Sequence, residues 1–134
     1  MKIFRWSLTV IYICFILLLT VVARKSLPEP IFQGVFWDLK NGYWKDIIQN
    51  ILLFIPLGLL CGGWKGIVIG FCLSCGIEIF QYCFRSGFCQ VDDVINNVIG
   101  VTIGVLIAYI FVRIKNYKTR IKNNYLENKN ESIK

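Results

Sequence analysis

Between residues 78 and 100 the sequence reads EIFQYCFRSGFCQVDDVINNVIG, concentrating polar and ionisable residues between two strongly apolar runs. Glu78, Gln81 and Arg85 fall at i, i+3 and i+7, the repeat of one helix face. Asp93, Asn97, Gly100 and Gly104 repeat at i, i+4, i+7 and i+11, again one face. With Asp92 and, from an earlier segment, Asn50, the set comprises carboxylates, amides and one guanidinium. Such groups bind polar headgroups by hydrogen bonds and ion pairs. If burial held two carboxyl pKa values apart they could also act as general acid and base, and Glu78 and Asp93 are the candidate catalytic pair. Two or three carboxylates can hold Mg²⁺, but the sequence offers no unambiguous metal cluster, and no metal or cofactor is expected. The chain has no histidine, which excludes a His-ligated metal and any Ser-His or Cys-His arrangement.

The elements that must position these groups are membrane helices. Of the residues, 56% are apolar and only 17% charged, with 10 Phe, 6 Tyr and 4 Trp, several of them near the ends of apolar runs where amphipathic rings favour the headgroup level. Trp6 to Ala23 carries no charge over eighteen residues, enough for a transmembrane helix. Small residues at Val21 and Ala23 also suit a signal-peptide cleavage site, but the run exceeds an ordinary h-region, which favours an uncleaved helix. A connection, Leu27 to Lys45, sets Ile31, Phe32, Val35, Phe36 and Leu39 at near-helical spacing opposite Gln33, Asp38 and Lys40; a short interfacial helix is expected there, with Phe36, Trp37, Tyr43 and Trp44 as headgroup anchors. Spans two, three and four are expected near 47–64, 67–84 and 91–112. Pro56 should kink the second near Leu52. Gly58 and the Gly100/Gly104 pair suit close helix packing. The tail, 113–134, begins basic, suited to anionic headgroups, and ends polar, which favours disorder. The fold class is therefore all-α, an integral membrane protein of four transmembrane helices with a short interfacial helix between the first and second.

Charge decides the expected orientation. The net charge of +7 would suggest nucleic acid in a soluble protein, but the basic residues flank apolar segments, and no nucleic-acid partner is expected. Lys and Arg number ten on the side shared by the N-terminus, the Lys65 turn and the tail, against five in the Arg24–Lys45 connection and the Arg85 loop. Both termini are thus expected to be cytoplasmic. Asn50, Glu78, Gln81, Asp92, Asp93, Asn96 and Asn97 then converge from three helices in the outer half of the membrane, where an ionisable group is costly and marks a functional site by default. Four cysteines (Cys14, Cys61, Cys72, Cys75) lie inside apolar runs, against a disulfide framework; Cys83 and Cys89 flank a loop and could pair in an oxidising compartment.

Three motifs in order, NILLFIPLG, Glu78-x-x-Gln81 and DDVINNVIG, resemble the VanZ-like family of small bacterial membrane proteins, named from a protein associated with resistance to the glycopeptide teicoplanin. The resemblance covers 46–110 and implies that Asn50, Phe54, Pro56 and Gly58 match the first motif, Glu78 and Gln81 the second, and Asp93, Asn97 and Gly100 the third. The family's loop arginine would fall near Gly87, two residues beyond Arg85. The resemblance implies an envelope protein contributing to glycopeptide or lipoglycopeptide resistance. Its binding residues would be Asn50, Glu78, Gln81, Arg85, Asp92, Asp93 and Asn97, and its partners a membrane lipid, a lipid-linked cell-wall precursor or the drug. A membrane-embedded enzyme modifying lipids or peptidoglycan precursors through Glu78 and Asp93, or a small transporter subunit, are the alternatives.

Overall fold

The computed structural model describes residues 2–22, 28–29 and 31–131. Helix α1 (Lys2–Leu17) continues into a π-helical segment, Leu18–Val22. A strand, β1 (Ile31–Gln33), and a five-residue helix, α2 (Trp37–Asn41), lead into α3 (Trp44–Cys61). Helix α4 (Gly63–Phe84), strand β2 (Phe88–Gln90) and the 41-residue α5 (Val91–Glu131) complete the chain. Four of these helices are long and apolar enough to cross a membrane, over Phe4–Val21, Trp44–Cys61, Gly63–Phe84 and Val91–Leu126. The architecture is that of an all-α membrane protein.

Small residues bring α3 and α5 into contact. A Cβ on Gly58 would collide with the Val101 carbonyl oxygen and lie 2.9 Å from the Val105 nitrogen. On the facing helix, a Cβ on Gly100 would strike the Ile51 carbonyl and one on Gly104 the Ile55 carbonyl. Every obstacle is backbone, so these glycines set the distance between the helices. Beside the seam, Phe54, Leu57, Ile77 and Val101 form the buried core with Ile16 of α1. Helix α3 runs unbroken through Pro56, and the Tyr12 hydroxyl donates to the Leu53 carbonyl at 2.7 Å, next to the carbonyl that the proline crowds.

The turn between α3 and α4 takes two glycines in succession, Gly62 and Gly63, both at φ 63°, where a side chain would be strained. Arg5 donates from α1 to the Leu60 carbonyl and, at 2.9 Å, to that of Cys61, satisfying carbonyls left over at the end of α3.

Three expectations change here. Only Trp37–Asn41 of the connection is helical; Ile31–Gln33 is instead a strand pairing in parallel with β2, in the register Ile31↔Phe88, Phe32↔Cys89 and Gln33↔Gln90. The tail is not irregular, since α5 continues through Glu131 as an exposed helix. Helix α4 stops at Phe84, with Arg85 as its left-handed cap (φ 54°) and the amides of Arg85 and Ser86 both donating to the Gln81 carbonyl. Arg85 thereby leaves the face that Glu78 and Gln81 share. All six cysteines, Cys83 and Cys89 included, are free thiols. Arg24, Lys25 and the possible cleavage site at Ala23 lie outside the described residues.

Candidate functional site

Where α3 and α5 begin, the seam opens into a polar cavity of about 490 Å³. Its floor is a hydrogen bond between the two helices, from Asn50 Nδ2 to Asp93 Oδ1 at 2.5 Å. Its walls are Gln33 of β1, Trp37 and Asp38 of α2, Tyr43, Asp46 and Gln49 around the start of α3, and Phe88 and Gln90 of β2. Among these described lining residues there are three carboxylates, four amides and three aromatic rings, and no lysine or arginine.

The strand pair builds one wall. Its register sets Gln33 beside Gln90, and their side-chain amides hydrogen-bond. The Gln90 amide nitrogen also lies 3.4 Å from Asp38 Oδ1, while swapping its oxygen and nitrogen would direct the donor to both Asp93 oxygens at 3.3 Å. Below it, Glu78 Oε2 accepts the Gln90 backbone N–H at 2.7 Å, so the buried glutamate of α4 anchors β2.

Asp92 builds the other wall. Its Oδ1 accepts the Phe36 N–H at 2.6 Å and its Oδ2 the Asp38 N–H at 3.0 Å, so one carboxylate fastens the start of α2 to the start of α5. Phe36 is held at φ 62°, a conformation that costs a non-glycine residue about 1–3 kcal/mol and persists where its surroundings over-determine it. Both aspartates also sit in the first turn of α5, where the helix dipole favours negative charge.

Asp38 is the exceptional lining residue. It is 1% exposed, and its Oδ2 has no hydrogen-bond partner among the described residues. Burial chiefly, then the neighbouring Asp92 and Asp46 carboxylates, push its carboxyl above the ordinary aspartate range, with the Gln90 amide offsetting part.

A second cavity, of about 570 Å³, shares Gln49 and Asn50 with the first and runs between α1 and α3 past Tyr12, Leu19, Thr20, Leu52 and Leu53. Leu19 and Leu52 are well exposed, so this arm opens on the apolar surface of the bundle.

Of the residues singled out in the sequence, Asn50 and Asp93 therefore line the cavity, and Asp92 and Glu78 hold its walls. Gln81 and Asn97 act elsewhere in the bundle: Gln81 Nε2 donates to the Thr20 carbonyl at 2.9 Å and Asn97 Nδ2 to Ser74 Oγ at 2.8 Å. Arg85 is exposed and donates to the Pro28 carbonyl at 3.2 Å. The lining residues that the sequence did not single out are Gln33, Asp38, Asp46, Gln49, Phe88 and Gln90, with Trp37 and Tyr43 noticed only as anchors. Gln90 was the most accessible signal, since it directly precedes the Asp92-Asp93 pair across one residue.

Fold and cavity together define a small polytopic membrane protein whose helical bundle carries a hydrophilic chamber at one end, beside a second cavity of mixed lining between α1 and α3. The chain belongs to the VanZ/LLP1 family, whose description matches residues 4–112, from the first span to the end of the apolar part of α5. It is similar to Protein VanZ of Enterococcus faecium, 35% identical in a 74-residue alignment that covers 48% of this chain and 45% of that protein. The match thus spans about half the length of that curated relative. No solved structure matches the chain significantly.

Proposed function

We propose that this protein acts in the bacterial cell envelope by holding an amphiphile, polar group in the chamber and chain in the lateral arm, and that it contributes in this way to glycopeptide or lipoglycopeptide resistance. The observation that carries the proposal is that the two cavities adjoin, with Gln49 and Asn50 in the lining of both. A hydrophilic compartment beside a groove at the bundle surface suits a membrane amphiphile: a lipid, a lipid-linked wall precursor or a lipid-tailed drug. Membership of the VanZ/LLP1 family and the similarity to Protein VanZ support the resistance context.

The excess of Lys and Arg in the N-terminus, the Lys65 turn and the tail supports cytoplasmic termini and a chamber in the outer half of the membrane, where such drugs act. Labelling of Cys89 in intact cells, after reduction, tests the sidedness. Its half-buried thiol is pushed up by burial and by the Glu78 and Asp93 charges, so labelling at mildly alkaline pH is appropriate.

The functional test is drug susceptibility of cells carrying Glu78→Gln or Asp93→Asn at normal expression. Each substitution keeps an acceptor oxygen while removing the charge, so the fold should survive and resistance should fall. Full resistance in both would sink the proposal. Lipid and wall-precursor mass spectrometry on the same cells identifies an enzyme by a changed species; Glu78, which holds β2 and does not line the chamber, is poorly set for acid–base work there.

A further inference from the structure

We infer that the group seated in the chamber is a primary ammonium carried on a lipid, and that it donates a hydrogen bond to Asp38 Oδ2 while its chain lies in the arm between α1 and α3. The inference rests on the amphiphile-binding function proposed above and specifies the sign of charge and the atom that receives the headgroup.

Three observations lead to it. Asp38 is almost wholly buried, yet Oδ2 accepts no hydrogen bond from the described residues, and a buried acceptor left unsatisfied is costly; the missing partner is a donor. Around it the described lining residues supply the carboxylates of Asp38 and Asp46 with no lysine or arginine, so an anionic group such as a bare phosphate would meet like charge, whereas an ammonium would meet counter-ions. Trp37, Tyr43 and Phe88 add ring faces to the same lining, the surface that attracts a desolvated cation. The rise in the Asp38 pKa agrees with this: burial chiefly, then the Asp92 and Asp46 carboxylates, disfavours its charged form.

Attachment to a lipid follows from the shared wall. Gln49 and Asn50 line both compartments, so a headgroup in one lies next to a chain in the other. A free amine would use the chamber and leave the arm empty.

The experiment is competitive retention of lipids on the purified full-length protein, read by native mass spectrometry. Phosphatidylethanolamine, phosphatidylcholine and phosphatidylglycerol of matched acyl chains are compared, with free ethanolamine as competitor. Phosphatidylethanolamine should be retained over phosphatidylglycerol by roughly tenfold, the ratio expected of one hydrogen bond to a charged group. Phosphatidylcholine, a cation that cannot donate, should fall well below phosphatidylethanolamine, and free ethanolamine should not displace it. Asp38→Asn should remove most of the preference; Trp37→Leu, at a half-exposed position that is safer for folding, should weaken it in the same direction. Leu52→Trp, filling the arm from its exposed side, should reduce retention of every lipid. Equal retention of all three lipids, lost in Leu52→Trp, overturns the ammonium assignment and leaves the amphiphile function standing. Phosphatidylcholine held as firmly as phosphatidylethanolamine overturns donation to Asp38, and displacement by free ethanolamine overturns the lipid attachment. Retention of no lipid at all sinks both the inference and the function beneath it.

Discussion

Helices α3 and α5 meet twice, with opposite results. At Gly58, Gly100 and Gly104 the two backbones touch, and no side chain intervenes. About two turns away, at Asn50 and Asp93, the same helices are joined by a side-chain hydrogen bond and then part around a chamber of carboxylates and amides. The first contact is complete in itself. The second is incomplete, because the buried Asp38 Oδ2 has no donor among the described residues. The difference teaches that one helix pair can be close-packed where it must be rigid and open where it must receive something, with the glycines fixing the distance from which the polar end departs.

The largest expected effect breaks the seam. Gly58→Ala drives a methyl group into the Val101 carbonyl, a backbone obstacle that cannot swing aside. Overpacking of this kind costs on the order of 1–3 kcal/mol and more where backbone must move. The yield of monodisperse protein and its thermal midpoint in detergent should both fall sharply. Gly76→Ala is the control, since a Cβ there meets nothing within 4 Å and helix propensity should make the change neutral or favourable by up to about 1 kcal/mol. Equal tolerance of both substitutions would mean that the helices are not held by glycine contact.

The next effect sharpens the polar end. Asp92→Ala removes the acceptor of two amides, those of Phe36 and Asp38, and the buried Asp38 donor left without a partner costs about 1–3 kcal/mol. The loss should be local, because those bonds tie a five-residue helix to α5 rather than one span to another. Hydrogen exchange should therefore rise across Trp37–Asn41 while the amides around Val101 keep their protection. Uniform loosening would make the polar end part of the same cooperative unit as the seam.

What was legible in the sequence follows the same division. The spans could be read because eighteen or more apolar residues have few other uses, and the small-residue spacing of Gly100 and Gly104 marked a packing face without tertiary knowledge. The chamber's walls could not. Ile31–Phe36 fits a helical period as well as a strand, a standing ambiguity of short apolar runs, and what decides it is pairing with Phe88–Gln90, more than fifty residues away. Asp38 has the spacing of a solvent-facing residue; it is buried because Asp92 fastens its backbone to another helix, a contact with no local signature. Arg85 kept the i+7 spacing from Glu78 but lies one residue past the end of α4, where periodicity no longer means a shared face. The tail's polar composition favoured disorder, yet it continues a helix already nucleated in α5, with no proline or glycine beyond Gly104 to stop it.

The smallest expected effect is a pH dependence, and its sign separates the two contacts. The Asp38 carboxyl is held above its ordinary 3.8, by burial first and then by Asp92 and Asp46. The folded protein therefore keeps this proton after the unfolded chain has released it. Asp38 contributes its full stability below pH 3.8 and loses it as the pH rises through the elevated folded value. Asp38→Asn cannot titrate, so the wild type should lose stability relative to that variant as the pH climbs through the window, measured by thermal unfolding of both proteins in lipid-free detergent. A relative gain with rising pH would mean that the charged carboxylate is already well partnered inside the protein. The chamber would then be as complete as the glycine seam, and the contrast between the two contacts would disappear. The same pair of curves recorded with phosphatidylethanolamine present should flatten, because a bound ammonium lowers the carboxyl's pKa toward its unfolded value and so removes the window that burial opened.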